Sequence, residues 1–311
     1  MEKPKVTVLL AAYKGSRYVG AQIDSILAQD TDDWQLILSD DGEETVPVLE
    51  AYAKAHPDRI RHIRSGERFG SAQKHFMYLL THYGLETDYV MFCDQDDVWH
   101  PDKIRVTLEF MEAEETDPAL PVLVHTDLKV VDEDLEEMAP SFLRFSKMDG
   151  SRLAFRELLV QNVVTGCTVM INHSLAVLAA RAGDVPQMMM HDWWMALIAA
   201  AFGKAAFLPT ATMDYRQHKS NQVGAKDAGS LRYLLSRLNG SYVLDMRDGT
   251  LVQAGAFLKL YGDRMTEEQK NDCRAMLGLA SHGKIWRLRA LTRHRLWKNT
   301  LPRRLGQVIY W

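Results

Sequence analysis

The 311-residue chain reads as an α/β protein, a mixed, mostly parallel sheet flanked by helices, with a helical C-terminal extension. Three observations carry that reading. Strand-like and helix-like segments alternate through the first 126 residues, the pattern of strands joined by covering helices. Three of the strands end in functional-looking residues, Ala12-Tyr13-Lys14, Asp40-Asp41-Gly42 and Asp94-Gln95-Asp96-Asp97, and open α/β sheets bind ligands outside the carboxyl ends of their strands. Beyond about residue 228 the apolar period is helical to the end. The expected division is a sheet domain over 1–227 and a basic helical region over 228–311.

The elements follow in order. Lys5 to Ala11 is a buried strand, and Arg17 to Gln29 a helix with Val19, Ile23, Ile26 and Leu27 near helical spacing. Trp34 to Leu38 is the second strand. Helix 45–55, strand 60–64, helix 71–83, strand 89–93, helix 102–114 and strand 121–126 continue the alternation. A polar stretch, 132–152, breaks it. An apolar helix follows over 190–202, then strand segments at 205–208 and 212–216, and helices interrupted near Gly240, Gly262 and Pro302.

Composition excludes several classes. The three cysteines are odd in number, far apart and without metal-type spacing, so no disulfide framework or zinc site is indicated and a reducing cytoplasm fits. The apolar runs Val6 to Tyr13 and Met195 to Phe202 are too short to span a bilayer, and the first lacks the basic flank of a secretory signal. Gly15 and Gly20 do not make the dinucleotide fingerprint, and there is no Gly-Lys-Ser/Thr phosphate loop, which argues against dehydrogenases and P-loop enzymes.

The acidic run after strand 89–93 is the most informative local feature. Three carboxylates within four residues repel one another unless a cation joins them, and hard divalent ions, Mn²⁺ or Mg²⁺, are held through one or two carboxylates plus substrate phosphates. Taken alone, the run also suits a solvated loop before a helix.

The ordered set of motifs resembles the family 2 glycosyltransferases of the GT-A fold, particularly bacterial rhamnosyltransferases and other builders of surface polysaccharide. Val8 to Gly15 with Gln22 to Gln29 resembles the family's first strand and helix. Asp40-Asp41-Gly42 resembles its nucleotide-binding turn, and Asp94 to Trp99 its metal motif. Gly166-Cys167-Thr168, His191-Asp192-Trp193-Trp194 and Tyr215 to Asn221 resemble later elements, so the resemblance covers roughly residues 5 to 224. Lys14 and Glu43 depart from it where many relatives carry Asn and Ser, as does His75 where Asn is expected.

The resemblance implies an inverting transfer of a sugar, rhamnose among the candidates, from a dTDP- or UDP-linked donor to a hydroxyl of a glycan or lipid-linked acceptor. Ala12, Tyr13, Asp40, Asp41 and Asp94 are the expected nucleotide contacts: Tyr13 stacks on the base and Asp41 accepts from its imide or from the ribose. Asp96 is the expected metal ligand, His218 an additional one, and Asp97 assists nearby. Asp192 is the expected general base; at the start of an apolar helix it equally suits a cap. Gly166 and Cys167 would let the backbone approach the donor sugar, and Arg216 and Lys219 are candidate phosphate contacts. His191, Trp193, Trp194 and Trp99 could line the sugar sites, although neighbouring tryptophans on a helix equally suit a core. A nucleotidyltransferase and a catalytically silent nucleotide- or glycan-binding module are the alternatives.

Charge is unevenly distributed. Nine Lys or Arg and no Asp or Glu lie between Cys273 and Trp311; removing those nine from the 37 basic residues leaves 28 against 41 acidic, −13 for the remainder. A basic segment with Trp and Leu suits an anionic membrane surface, here the inner face of the cell membrane. A contact with a second copy of the chain is the alternative. Nothing else in the chain supports nucleic acid as a partner.

Overall fold

The first strand, β1 (Val6–Ala12), is an almost continuous apolar run because helices cover both of its faces. The computed structural model describes residues 5–183, 185, 187–218 and 240–311. In it β2 (Trp34–Asp40), β3 (Ile60–Ile63) and β4 (Tyr89–Cys93) join β1 as a parallel block of order β3-β2-β1-β4. The connecting helices are α1 (Val19–Leu27), α2 (Val46–Ala55) and α3 (Ala72–Tyr83). On α1, Val19, Ile23 and Ile26 are buried, as their spacing requires. The oxygen of Ser71 caps α3 by accepting from Lys74 N.

Beyond β4 the sheet becomes mixed. β5 (Val98–Trp99), α4 (Lys103–Glu114), β6 (Val122–Val131), β7 (Glu137–Ala139), α5 (Phe142–Phe145), α6 (Phe155–Leu158), β8 (Val169–Asn172), α7 (His173–Ala180), α8 (His191–Phe202) and β9 (Lys204–Arg216) follow in the chain. Strand 121–126 is the first part of β6 and keeps the direction of β4, but the two are not neighbours: β8, contributed by a later segment, lies between them and runs antiparallel to both. β9 is parallel to β6 and antiparallel to β5. The two segments expected at 205–208 and 212–216 are one strand. Its register on β6 skips Pro209 and Thr210, passing from Leu208 to Ala211, because proline has no N–H for the ladder and is accommodated in a bulge.

Helix α8 is apolar all round, and every residue from His191 to Ala199 is buried. Four C-terminal helices, α9 (Gly240–Tyr261), α10 (Glu267–Gly278), α11 (Lys284–Arg293) and α12 (Leu301–Tyr310), build onto that side of the molecule. Phe257 and Tyr261 of α9 pack on Trp194 with ring centroids 5.3 and 6.0 Å apart, and one apolar cluster runs from β1 and β4 through α8 to Leu296 and Trp311. Gly262 ends α9 as expected. The helical run also breaks just before Pro302, which opens α12, its missing N–H falling among the unpaired donors of the first turn. Among the described residues no helix is long and apolar enough to cross a membrane.

Candidate active site

The carboxyl ends of β1, β2 and β4 lie side by side, and their side chains bridge them. Gln95 ties β1 to β4: its Oε1 accepts from Tyr13 N at 2.6 Å and its Nε2 donates to Tyr13 O at 2.8 Å. A Cβ on Gly15 would stand 2.2 Å from the Gln95 amide, which explains glycine there better than a phosphate loop does. Ala12 is buried at the strand end, whereas the Tyr13 ring is 48% exposed with Lys14 Nζ 5.1 Å from its centroid.

Asp40 and Asp41 have separate local tasks. Asp40 accepts from Gly42 N at 2.7 Å and from both N and Oγ1 of Thr45, closing the turn into α2. Asp41 is buried and accepts from the backbone N–H groups of Phe69 and Gly70, pinning a loop that turns through Gly66 and Gly70 at positive φ. A carboxylate oxygen has two acceptor directions, so Asp41 keeps capacity for a ligand. His75 bonds Ser39 Oγ at 2.8 Å and stacks on Phe69, and burial lowers its pKa to about 4.

The acidic run turns back over the end of β9. His218 Nε2 lies 2.7 Å from Asp96 Oδ2, joining groups far apart in sequence. Tyr18 stacks on the His218 ring at 4.9 Å, and the Arg216 guanidinium lies 4.8 Å from the Tyr18 ring. Arg216 donates from Nε to Asp96 O at 3.0 Å and from Nη1 to Glu133 O at 2.7 Å, so it braces the acidic loop. Its backbone N–H donates to Asp97 Oδ1, while the buried Asp97 Oδ2 has no partner among the described residues. Burial first, then the Asp96 and Asp94 charges, push the Asp97 pKa well up. Burial, Asp96 and Asp192 raise that of Asp94.

The donors gathered here suit a hard divalent cation better than a soft one. Ligand atoms of Asp94, Asp97 and Cys167 lie within 4.8 Å of one another, but burial holds the Cys167 thiol well above its usual range, hence protonated, and hard ions disfavour sulfur. Oxygen and imidazole donors from Asp94, Asp96 and His218 suit Mn²⁺ or Mg²⁺. A cation also relieves the mutual repulsion of the carboxylates, so the residues fit the group. Lys219 lies outside the described residues.

Asp192 is on the same side. It sits in the first turn of α8 and accepts from Trp193 N, from the Gly166 backbone and, at 3.3 Å, from Asn162 Nδ2. Burial nevertheless dominates and lifts its pKa to about 7. A Cβ on Gly166 would meet His191 Nε2 at 2.9 Å, so this glycine admits the imidazole. His191 is buried between Phe76 and Phe92, and burial lowers its pKa to about 3. Trp193 and Trp194 belong to the core, the Trp193 indole N–H donating to Leu158 O at 2.6 Å. Trp99 is also buried, beside a fully buried Lys103 whose ammonium lies 4.9 Å from its ring and donates to Thr212 Oγ1.

Tyr18, Gln95, Asn162 and Lys103 escaped the sequence reading of the site. Only Gln95 had a visible signal, its place inside the acidic run; the others depend on contacts between distant segments.

Several known proteins resemble this chain in sequence or in fold. The chain is 26% identical over 234 residues to the dTDP-rhamnosyl transferase RfbG of Shigella flexneri, covering 72% of this chain and 76% of that one. It is 33% identical over 111 residues to the putative teichuronic acid biosynthesis glycosyltransferase TuaG of Bacillus subtilis, covering 35% and 42% respectively. Among solved structures, S. aureus TarS 1–349 in complex with UDP-GlcNAc superposes with TM-score 0.55 at 12% identity, covering 98% of this chain and 89% of that one. The mannosyltransferase PcManGT from Pyrobaculum calidifontis, in complex with GDP-Man and Mn²⁺, gives 0.53 at 16%, covering 99% and 87%. These structures share the GT-A fold with this chain. The model of Glycosyl transferase family 2 matches residues 7–177, and the chain belongs to that family.

Proposed function

We propose that this glycosyltransferase is metal-dependent and inverting, and moves a sugar from a dTDP- or UDP-linked donor to a hydroxyl of a glycan or lipid-linked acceptor in surface polysaccharide synthesis. Rhamnose is the sugar favoured by the likeness to the Shigella protein. The observation that carries the reading is the pairing of Asp96 with His218 at the strand end that also carries Asp94, with a buried Asp192, whose charge acts on Asp94, beside Gly166.

Tyr13 offers the base an exposed ring, and Asp41 has acceptor capacity for the nucleoside. Asp96 and His218, with Asp94, would hold Mn²⁺ or Mg²⁺, which when bound neutralises charge developing on the diphosphate. Gln95 and Arg216 fix the loop that carries these ligands. Asp192 takes the proton of the acceptor hydroxyl as that oxygen bonds the anomeric carbon and the nucleoside diphosphate departs from the opposite face with the bonding electron pair. A carboxylate with a pKa near 7 is a far better base than an exposed one. The displacement inverts the anomeric carbon without a covalent intermediate.

Calorimetric titration with UDP and dTDP, with Mn²⁺ and then with EDTA, tests the ligand set. Wild-type protein should bind more tightly with the ion, and Asp96→Ala should remove that gain while leaving the EDTA affinity nearly unchanged. Equal Mn²⁺-supported affinity in the two proteins would sink the assignment.

A further inference from the structure

The acid-free region from Cys273 to Trp311 surrounds an apolar surface. α11 and α12 lie side by side, with Ile285, Leu288, Val308 and Ile309 flanking a shallow groove between them. Ile285 is 72% exposed and Ile309 61%, and Leu301 and Leu305 of α12 are also exposed. Single exposed apolar side chains are ordinary, but a cluster on adjacent helices marks a surface that is covered in use. Lys284 and Arg287 line the groove, and Arg289 and Arg293 line a second depression that shares Leu288.

We propose that this face of α11 and α12 docks on an anionic lipid bilayer, its aliphatic side chains entering the headgroup boundary while the Lys and Arg side chains meet lipid phosphates. Charge selects that occupant. A second copy meeting the same face about a two-fold axis would set basic rim against basic rim. A bilayer supplies both the apolar interior and the negative surface.

The face is firmly joined to the rest of the molecule. Arg303 donates to the carbonyls of Ser146 and Lys147, each at 2.7 Å, and Asn299 N donates to Gln161 Oε1 at 2.8 Å. The next residue, Asn162, donates to Asp192. Docking would therefore anchor the segment beside the proposed base, a link to catalysis that rests on the proposed function; the docking itself does not.

The test is sedimentation of the full chain with phosphatidylcholine vesicles, with and without phosphatidylglycerol. Wild-type protein should bind only the anionic vesicles, and less as salt rises. The triple variant Lys284→Gln/Arg289→Gln/Arg293→Gln should bind roughly 100-fold more weakly, each cation near an anionic surface being worth on the order of five-fold. Leu305→Gln/Ile309→Gln, also at exposed positions, should lose binding with an unchanged circular dichroism spectrum. Absence of binding by the wild-type protein, equal binding to both vesicle types, or a wild-type dimer that Leu305→Gln/Ile309→Gln converts to monomer would overturn the proposal.

Discussion

Asp192, the proposed general base, is a buried carboxyl in the first turn of α8. Its ordinary carboxyl pKa of 3.8 is raised to about 7 by burial, so the folded protein retains a proton that the unfolded chain releases. Its contribution therefore makes stability fall as pH rises from about 4 through about 7. Asp192→Asn should be more stable than wild type at pH 8 and less different at pH 4, measured by denaturant unfolding. The same variant should retain donor binding and lose transfer by roughly 10²-fold or more, the scale of a removed general base. Wild-type transfer should show an acid limb near pH 7, where the carboxylate ionises, and that limb should be absent from the residual activity of the variant. Transfer by Asp192→Asn at near the wild-type rate would leave the residue a structural role only, as an acid in the first turn of α8; the cap that the sequence suggested is not made, since Met190 holds the N-cap position.

At the scale of elements, α8 is where the sheet and the C-terminal helices meet. Phe257→Ala should destabilise the protein by about 3–5 kcal/mol, because a fully buried ring packed on Trp194 and Tyr261 leaves a cavity that the surrounding helices cannot close. A loss below about 1 kcal/mol in denaturant unfolding would contradict that packing. The sequence made the parallel half of the sheet legible because β1, β2 and β4 are short apolar runs ending in recognisable turns, with periodic helices between them. It did not reveal β8 between β4 and β6, since nothing in four residues specifies a partner that far along the chain. The site was legible where motifs were compact, as in Asp94 to Asp97 and His191-Asp192. It was obscured where one residue type serves two ends: Trp193 and Trp194 could equally have faced a sugar, and only the helices arriving on α8 fix them as core. Gly166 was read as a place where the backbone approaches the donor sugar; in the structure the group packed against it is His191.

Across the whole molecule, an acidic sheet region and a basic helical end are joined by a shared apolar core and by arginines that donate to backbone carbonyls. The core makes the end part of the fold, while its outer face is the proposed docking surface. The proposed function requires the carboxylates gathered at the strand ends to form a nucleotide-sugar transfer site. The most direct measurement is release of nucleoside diphosphate from a panel of dTDP- and UDP-sugars by the full chain with Mn²⁺, comparing wild type, Asp96→Ala and Asp192→Asn. At least one donor should be turned over by the wild-type protein, with loss of Mn²⁺-supported turnover in Asp96→Ala and a fall of roughly 10²-fold or more in Asp192→Asn. Turnover unaffected by both substitutions, or nucleoside monophosphate and sugar phosphate as the products, would contradict the claim.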